Sequence, residues 1–191
     1  MSTSTKLIDL QKRQQDHDRV HHPDIYNTSY PDRMNHYVLH FSKYVGRLSR
    51  QDNNEGELEA ILSKTIADSF IVGLAAANTL NLHLKKELSD LTGTEVSGVG
   101  LWTEELSSEI NLADSAELNS WLISEMAGPT GRMGNAMESL DHMESMDVRE
   151  ILEDSTVKIV LQLMIVAGSL NIDLEDLITD RWNEIEEKSI L

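Results

Sequence analysis

His36, His40, Lys43, Arg47 and Arg50 follow one another at intervals of four, three, four and three residues. On an α-helix this spacing puts all five on one face. Residues 32–50 carry a net charge of +3, whereas the rest of the chain carries −20. Local charge therefore opposes the global balance, as a site for an anion would, since Lys and Arg contact phosphate or carboxylate oxygens directly. The bland alternative is a solvated face, or pairing with acids elsewhere in the chain. His36 and His40 also have the i, i+4 spacing of two metal-ligating histidines, which Asp68 or another carboxylate could complete. His17, His21 and His22 form a second cluster, readable as metal ligands or as solvated polar groups.

Composition limits what these residues can serve. The chain has 191 residues and no cysteine, with a net charge of −17. That length suits one large or two small domains with a real core. The absence of cysteine excludes disulfides, thiolate zinc sites and a cysteine nucleophile. The acidity argues against nucleic acid or an anionic membrane bound over the whole surface. It is concentrated in residues 104–191, which carry −15, against −2 in residues 1–103. An acidic half is expected to be solvated surface, and would otherwise dock a cationic partner. The apolar runs at 69–84 and 159–172 include polar residues and fall short of a membrane span. With no apolar leader core at its amino terminus, the chain is expected to be cytoplasmic.

The elements that must position the basic stripe are helical. Residues 1–31 are polar and punctuated by Pro23 and Pro31, and read as an arm or a frayed helix. A helix then begins with Asp32 as its N-cap, and Met34, Tyr37, Val38, Phe41, Val45 and Leu48 form its apolar stripe. A second runs over about 55–81 and is apolar nearly all round, as in a bundle core. Residues 89–113, which contain three glycines before Leu101, read as a linker. Further helices are expected at 114–127, where Gly128 and Pro129 should break or kink the chain, through a methionine-rich segment to Met143, over 147–170, and from Asp173. The fold class is all-α. Trp102, Trp121 and Trp182 read as core or interface anchors. The glycines near Pro129 lack the Lys-Ser/Thr of a phosphate loop.

An internal repeat suggests the architecture. Residues 68–88 align without gaps on 158–178, with Ala77/Ala167, Leu80/Leu170, Asn81/Asn171 and Leu84/Leu174 identical. Residues 42–46 match 124–128 at an offset of 82. Each half is a helix, a loop, a long buried helix, an asparagine-containing break and a short amphipathic helix. Each would bury its apolar face on the other as a pseudo-dimer, with halves at 32–88 and 114–191.

With IADSFIVGLAAANTLNLHL in the first half and SLNIDLEDLITDRWNEIEEK in the second, the chain resembles the MazG-like, all-α nucleoside triphosphate pyrophosphohydrolase superfamily. Its tandem form is similar to the dimeric dUTPase branch. The resemblance implies a nucleotide substrate, a homodimer and Mg²⁺ held by EExxE on one helix and ExxD on the next. Clustered carboxylates at one-turn spacing suit that hard cation. Here the first motif falls on Lys43, Tyr44 and Arg47, and the second on Thr65 and Asp68. In the second half they fall on Glu125, Met126 and Pro129, and on Ser155 and Lys158. Asp68 and Glu125 are thus the metal candidates.

Two functions follow. One is a divergent (d)NTP pyrophosphohydrolase using Mg²⁺, in which Glu57, Glu59, Glu150 or Asp154 might rebuild the acidic cluster. The other is a non-catalytic protein binding an anionic ligand or a protein partner through His36, His40, Lys43 and Arg47. Converging carboxylates would favour the first, and a pairing of Asp68 with Lys43 or Arg47 the second. No catalytic nucleophile and base can be assigned from spacing alone.

Overall fold

The computed structural model describes residues 6–50, 55–95, 98–108 and 114–188. Among these the protein is all-α. The helices are α1 (Leu7–His21), α2 (Pro23–Tyr26), α3 (Tyr30–Leu48), α4 (Glu55–Leu80), α5 (Leu84–Thr92), α6 (Val99–Ser107), α7 (Ser115–Asp141), α8 (Val148–Ser169) and α9 (Leu174–Lys188).

Four long helices form the centre. α3 packs on α4, α4 on α8, α8 on α7 and α7 back on α3, which closes a ring. Neighbours in the ring run antiparallel. Arg47 of α3 meets Asp68 of α4 while Tyr37 meets Thr79. Across the next interface, Gly73 faces Val160 and the Arg149 guanidinium donates to the Leu80 carbonyl. α4 is enclosed on several sides, which explains its near-uniform apolarity: Leu62, Ile66, Phe70, Leu74 and Leu80 are all fully buried. Residues Gly56–Leu80 are long and apolar enough to cross a membrane, but 78% of that apolar window is buried within the protein, as in a core helix.

α4 and α8 end alike. Asn81 and Asn171 take the left-handed conformation, with φ of 57° and 53°. In each case the next amide donates back five residues, Leu82 to Ala77 and Ile172 to Ala167, at 2.8 and 2.9 Å. The asparagine amides bond to the carbonyls of Asn78 and Gly168. These are paired Schellman ends, with asparagine in the position glycine usually takes. After the second of them the chain turns by 110° into α9, where the Asp173 carboxylate caps the amides of Glu175 and Asp176.

Four expectations need correction. Within the polar stretch 1–31, residues Leu7–His21 form a helix docked on α4, with Leu7, Leu10, Gln11, Gln14 and His17 buried. Within the stretch read as a linker, α5 extends to Thr92 and α6 packs closely on α8, burying Val99 and Trp102. Residues 109–113 of that stretch lie outside the described residues. α7 runs through Pro129 as one helix. Proline forfeits one backbone bond and strains the preceding turn, but Gly128 before it has no Cβ for the ring to strike, and packing on α3 and α8 holds the segment. Finally, the N-cap of α3 is Ser29, whose hydroxyl accepts from the Asp32 amide and donates to the Asp32 carboxylate, with Pro31 in the first turn.

Candidate anion-binding cavity

The basic face of α3 looks into a cavity of about 470 Å³, within the range typical of small-molecule sites. α4 forms its apolar wall through Ile71, Val72 and Ala75, and α1, α2 and α9 close the remaining sides. His36, His40, Lys43, Arg47 and Asp68 all line it. Arg50 and Glu125 do not, so the two metal candidates Asp68 and Glu125 are not brought together in it.

Asp68 is 7% exposed and occupied on both oxygens. Arg47 Nη1 donates to Oδ2 at 2.8 Å, and Arg181 Nε donates to Oδ1 at 2.5 Å. Arg181 also reaches Glu184 through Nη1 at 2.6 Å. Lys43, whose charge interacts with Asp68, Arg47 and Arg181, lines this end of the cavity, and the exposed Lys64 also lines it. The lining of the cavity thus carries four cations, Lys43, Arg47, Lys64 and Arg181, against three carboxylates, Asp18, Asp24 and Asp68. Burial, followed by the nearby Arg47 and Arg181, lowers the Lys43 ammonium's pKa against the opposing pull of Asp68. The Arg47 guanidinium stacks on the Tyr44 ring, 5.1 Å from its centroid, and Lys43 Nζ lies 4.8 Å from it on the same ring.

His40 is tied into this end. Lys43 Nζ, which can only donate, lies 3.3 Å from His40 Nδ1, so that nitrogen accepts; the Tyr44 hydroxyl donates to it at 2.9 Å. Burial raises the Tyr44 phenol and keeps it a donor. Burial, and then the charges of Lys43 and His36, pushes His40 down to about 4, with His22 acting the same way and Asp68 opposing. A histidine whose folded pKa lies below its unfolded value binds fewer protons folded than unfolded. Stability is therefore full above pH 6.5 and is lost as pH falls toward 4. The expected loss at His40 is on the order of 3 kcal/mol at the acid limit. Thermal melts between pH 7.5 and 4.5 should show most of it, and His40→Gln should reduce the slope without abolishing it, because burial also lowers His17 and His36.

Mg²⁺ does not fit the cationic end. A hard divalent ion collects about six oxygens, and the one carboxylate here is held by two guanidinium groups beside a lysine. None of Glu57, Glu59, Glu150 and Asp154 lines the cavity: Asp154 pairs with Arg132 and Lys158, and Glu59 accepts from Ser115. Among the described residues, the groups of three or more ligating side chains that converge both centre on His17.

Arg181 and Lys64 were not singled out from the sequence. Arg181 carried a signal, as the one basic residue between Lys158 and Lys188 in an otherwise acidic stretch. Lys64 carried none. The bond from Trp182 Nε1 to Gln14 Oε1, at 2.7 Å, and from Gln14 Nε2 to Asp18, also 2.7 Å, fastens α9 to α1 over the cavity. Comparisons with protein-family models, curated proteins and solved structures return no match for this chain.

Proposed function

We propose that the chain is a MazG-like protein of two tandem halves whose cavity binds an anionic small molecule of nucleotide size without hydrolysing it. The paired Schellman ends, recurring at the repeat's own interval of 90 residues, support the tandem reading. The observation that carries the functional reading is the double guanidinium grip on Asp68. It withdraws the family's surviving aspartate from metal binding and leaves cations for an anion to engage. The apolar wall of α4 suits a base or another organic group, while Lys43, Lys64 and the outer edges of Arg47 and Arg181 take the phosphate or carboxylate.

Calorimetric titration with inorganic pyrophosphate and with a nucleoside monophosphate tests this reading. Binding is expected, and Lys43→Glu with Lys64→Glu should weaken it at least about tenfold, equivalent to about 1.4 kcal/mol. Arg47 is left intact because it holds Asp68. Unchanged binding in that variant would reduce the basic stripe to a solvated face. Incubation with a panel of NTPs and dNTPs plus Mg²⁺ or Mn²⁺ should release no pyrophosphate. Turnover abolished by Asp68→Ala with Glu125→Ala would instead establish the divergent pyrophosphohydrolase.

A further inference from the structure

His17 is a buried side chain with nothing to bond. Its side chain is 4% exposed, yet neither Nδ1 nor Nε2 has a hydrogen-bond partner among the described residues. An unmet buried donor or acceptor costs about 1–3 kcal/mol, so such an arrangement calls for a missing partner. Three observations indicate what that partner is. His21 lies four residues on, one turn along α1, with its ring centroid 4.7 Å from that of His17. Glu186 of α9 brings Oε1 to 4.0 Å from His17 Nε2. One ligating atom from each of the three residues falls within 4.8 Å of the others.

The geometry points to a transition-metal site formed by His17, His21 and Glu186, with Zn²⁺ the best-suited ion. Two imidazoles and a carboxylate favour zinc and its first-row neighbours over Mg²⁺ or Ca²⁺. Around a tetrahedral zinc, ligand atoms stand about 3.3 Å apart for bonds near 2 Å. Glu186, 43% exposed, and the half-buried His21 have the rotamer freedom to close that gap. The ion relieves the buried imidazole and clamps α1 to α9, the two helices that Trp182 and Gln14 already join. A competing set, His17, Asp18 and His22, shares the same histidine. It is the weaker choice, because Asp18 already accepts from Gln14. His17 lines the same cavity as Lys43 and Lys64, but the metal ligands and the anion-binding cations are different residues, so separate variants test the two readings.

The full chain, purified without a polyhistidine tag, is titrated with Co²⁺ and followed by visible absorption, and with Zn²⁺ followed by thermal melting. Ligand-field bands that saturate stoichiometrically are expected, along with a melting point raised by Zn²⁺ and restored by chelator, and no response to Mg²⁺. Outer partners of metal ligands alone are worth about 10–100-fold in affinity. His21→Gln with Glu186→Gln should therefore weaken Co²⁺ binding by at least about tenfold, while His22→Gln leaves it unchanged. Both substituted positions are accessible, so the variant should keep its helical spectrum. Absence of Co²⁺ bands, equal binding by the double variant, or loss in His22→Gln instead would each overturn the assignment. Lys43→Glu with Lys64→Glu should bind metal normally.

Discussion

Asp68→Asn is expected to lower stability by about 3–5 kcal/mol, because removing one partner of a buried ion pair strands the other charge. Here Arg47, 22% exposed, loses its carboxylate outright, and Arg181, 18% exposed, keeps only Glu184. In a chain of this length that corresponds to a melting point about 10 °C lower. The variant should also respond more strongly to anions. With the internal carboxylate gone, pyrophosphate can take its place between the guanidinium groups, and added ligand should recover part of the lost melting temperature. A third variant separates structure from binding. Arg47→Met, Asp68→Leu and Arg181→Met together replace the charged cluster by apolar side chains, which in buried sites is often neutral or stabilising. That protein should melt near the parent and bind pyrophosphate more weakly, through Lys43 and Lys64 alone. If Asp68→Asn melts like the parent, or gains nothing from pyrophosphate, the guanidinium grip is not what holds α9 on α4.

Gly168→Ala should be nearly as damaging, for a purely steric reason. A Cβ at Gly168 would stand 2.2 Å from the Thr103 carbonyl oxygen and 2.8 Å from Cβ and Oγ of Ser107. The nearest obstacle is backbone, so no rotamer change relieves it. α6 would have to lift from α8, uncovering Val99 and Trp102, each 1% exposed. Overpacking of this kind costs about 1–3 kcal/mol and more when the backbone cannot yield, so a loss of at least about 3 kcal/mol is expected. Two other glycines calibrate it. At Gly73 the added methyl would meet Val160 Cγ2 at 2.7 Å, a side chain that can adjust. At Gly131 it would meet nothing within 4 Å. Gly131→Ala should stabilise α7 by about 0.5–1 kcal/mol through helix propensity. Thermal melts of the three variants should rank Gly131→Ala highest and Gly168→Ala lowest; a near-parental Gly168→Ala would mean that α6 does not pack so closely.

How far this could be read from the residues differs by element. α3, α4, α8 and α9 were legible because apolar positions recur at helical spacing or fill the segment, and because asparagine marks the breaks. α1 was not, because it is fastened by polar groups. Gln11 Nε2 donates to the Leu82 carbonyl at 2.8 Å and to Asn78 Oδ1 at 3.2 Å, while its Oε1 accepts from the Leu84 amide. Asn78 Nδ2 returns a bond to the Gln11 carbonyl at 2.7 Å. Periodicity of apolar residues cannot detect a helix whose buried face passes after Leu7 and Leu10 into Gln11, Gln14 and His17. The glycines of 93–100 mask α6, and Pro129 by itself predicts a break that the packing of α7 on α3 and α8 overrides. Of the cavity, the face supplied by α3 was visible as a stripe, as was Asp68. Arg181 and the Trp182–Gln14 bond depend on how distant segments meet, which spacing along one helix cannot reveal.

The joint between Trp182 and Gln14 spans 168 positions of sequence, and that between Arg181 and Asp68 spans 113. Closing so long a loop must be preceded by most of the ordering it connects. On a ribosome, the α3–α4 pair can form while the later helices are still unmade, but the cavity cannot, because its last cation and its cover arrive with α9. Closure of the cavity therefore waits for α9. A product that ends before α9 is expected to be largely helical and yet to lack the closed cavity, so closure of the cavity reports the docking of α9 and not helix formation alone.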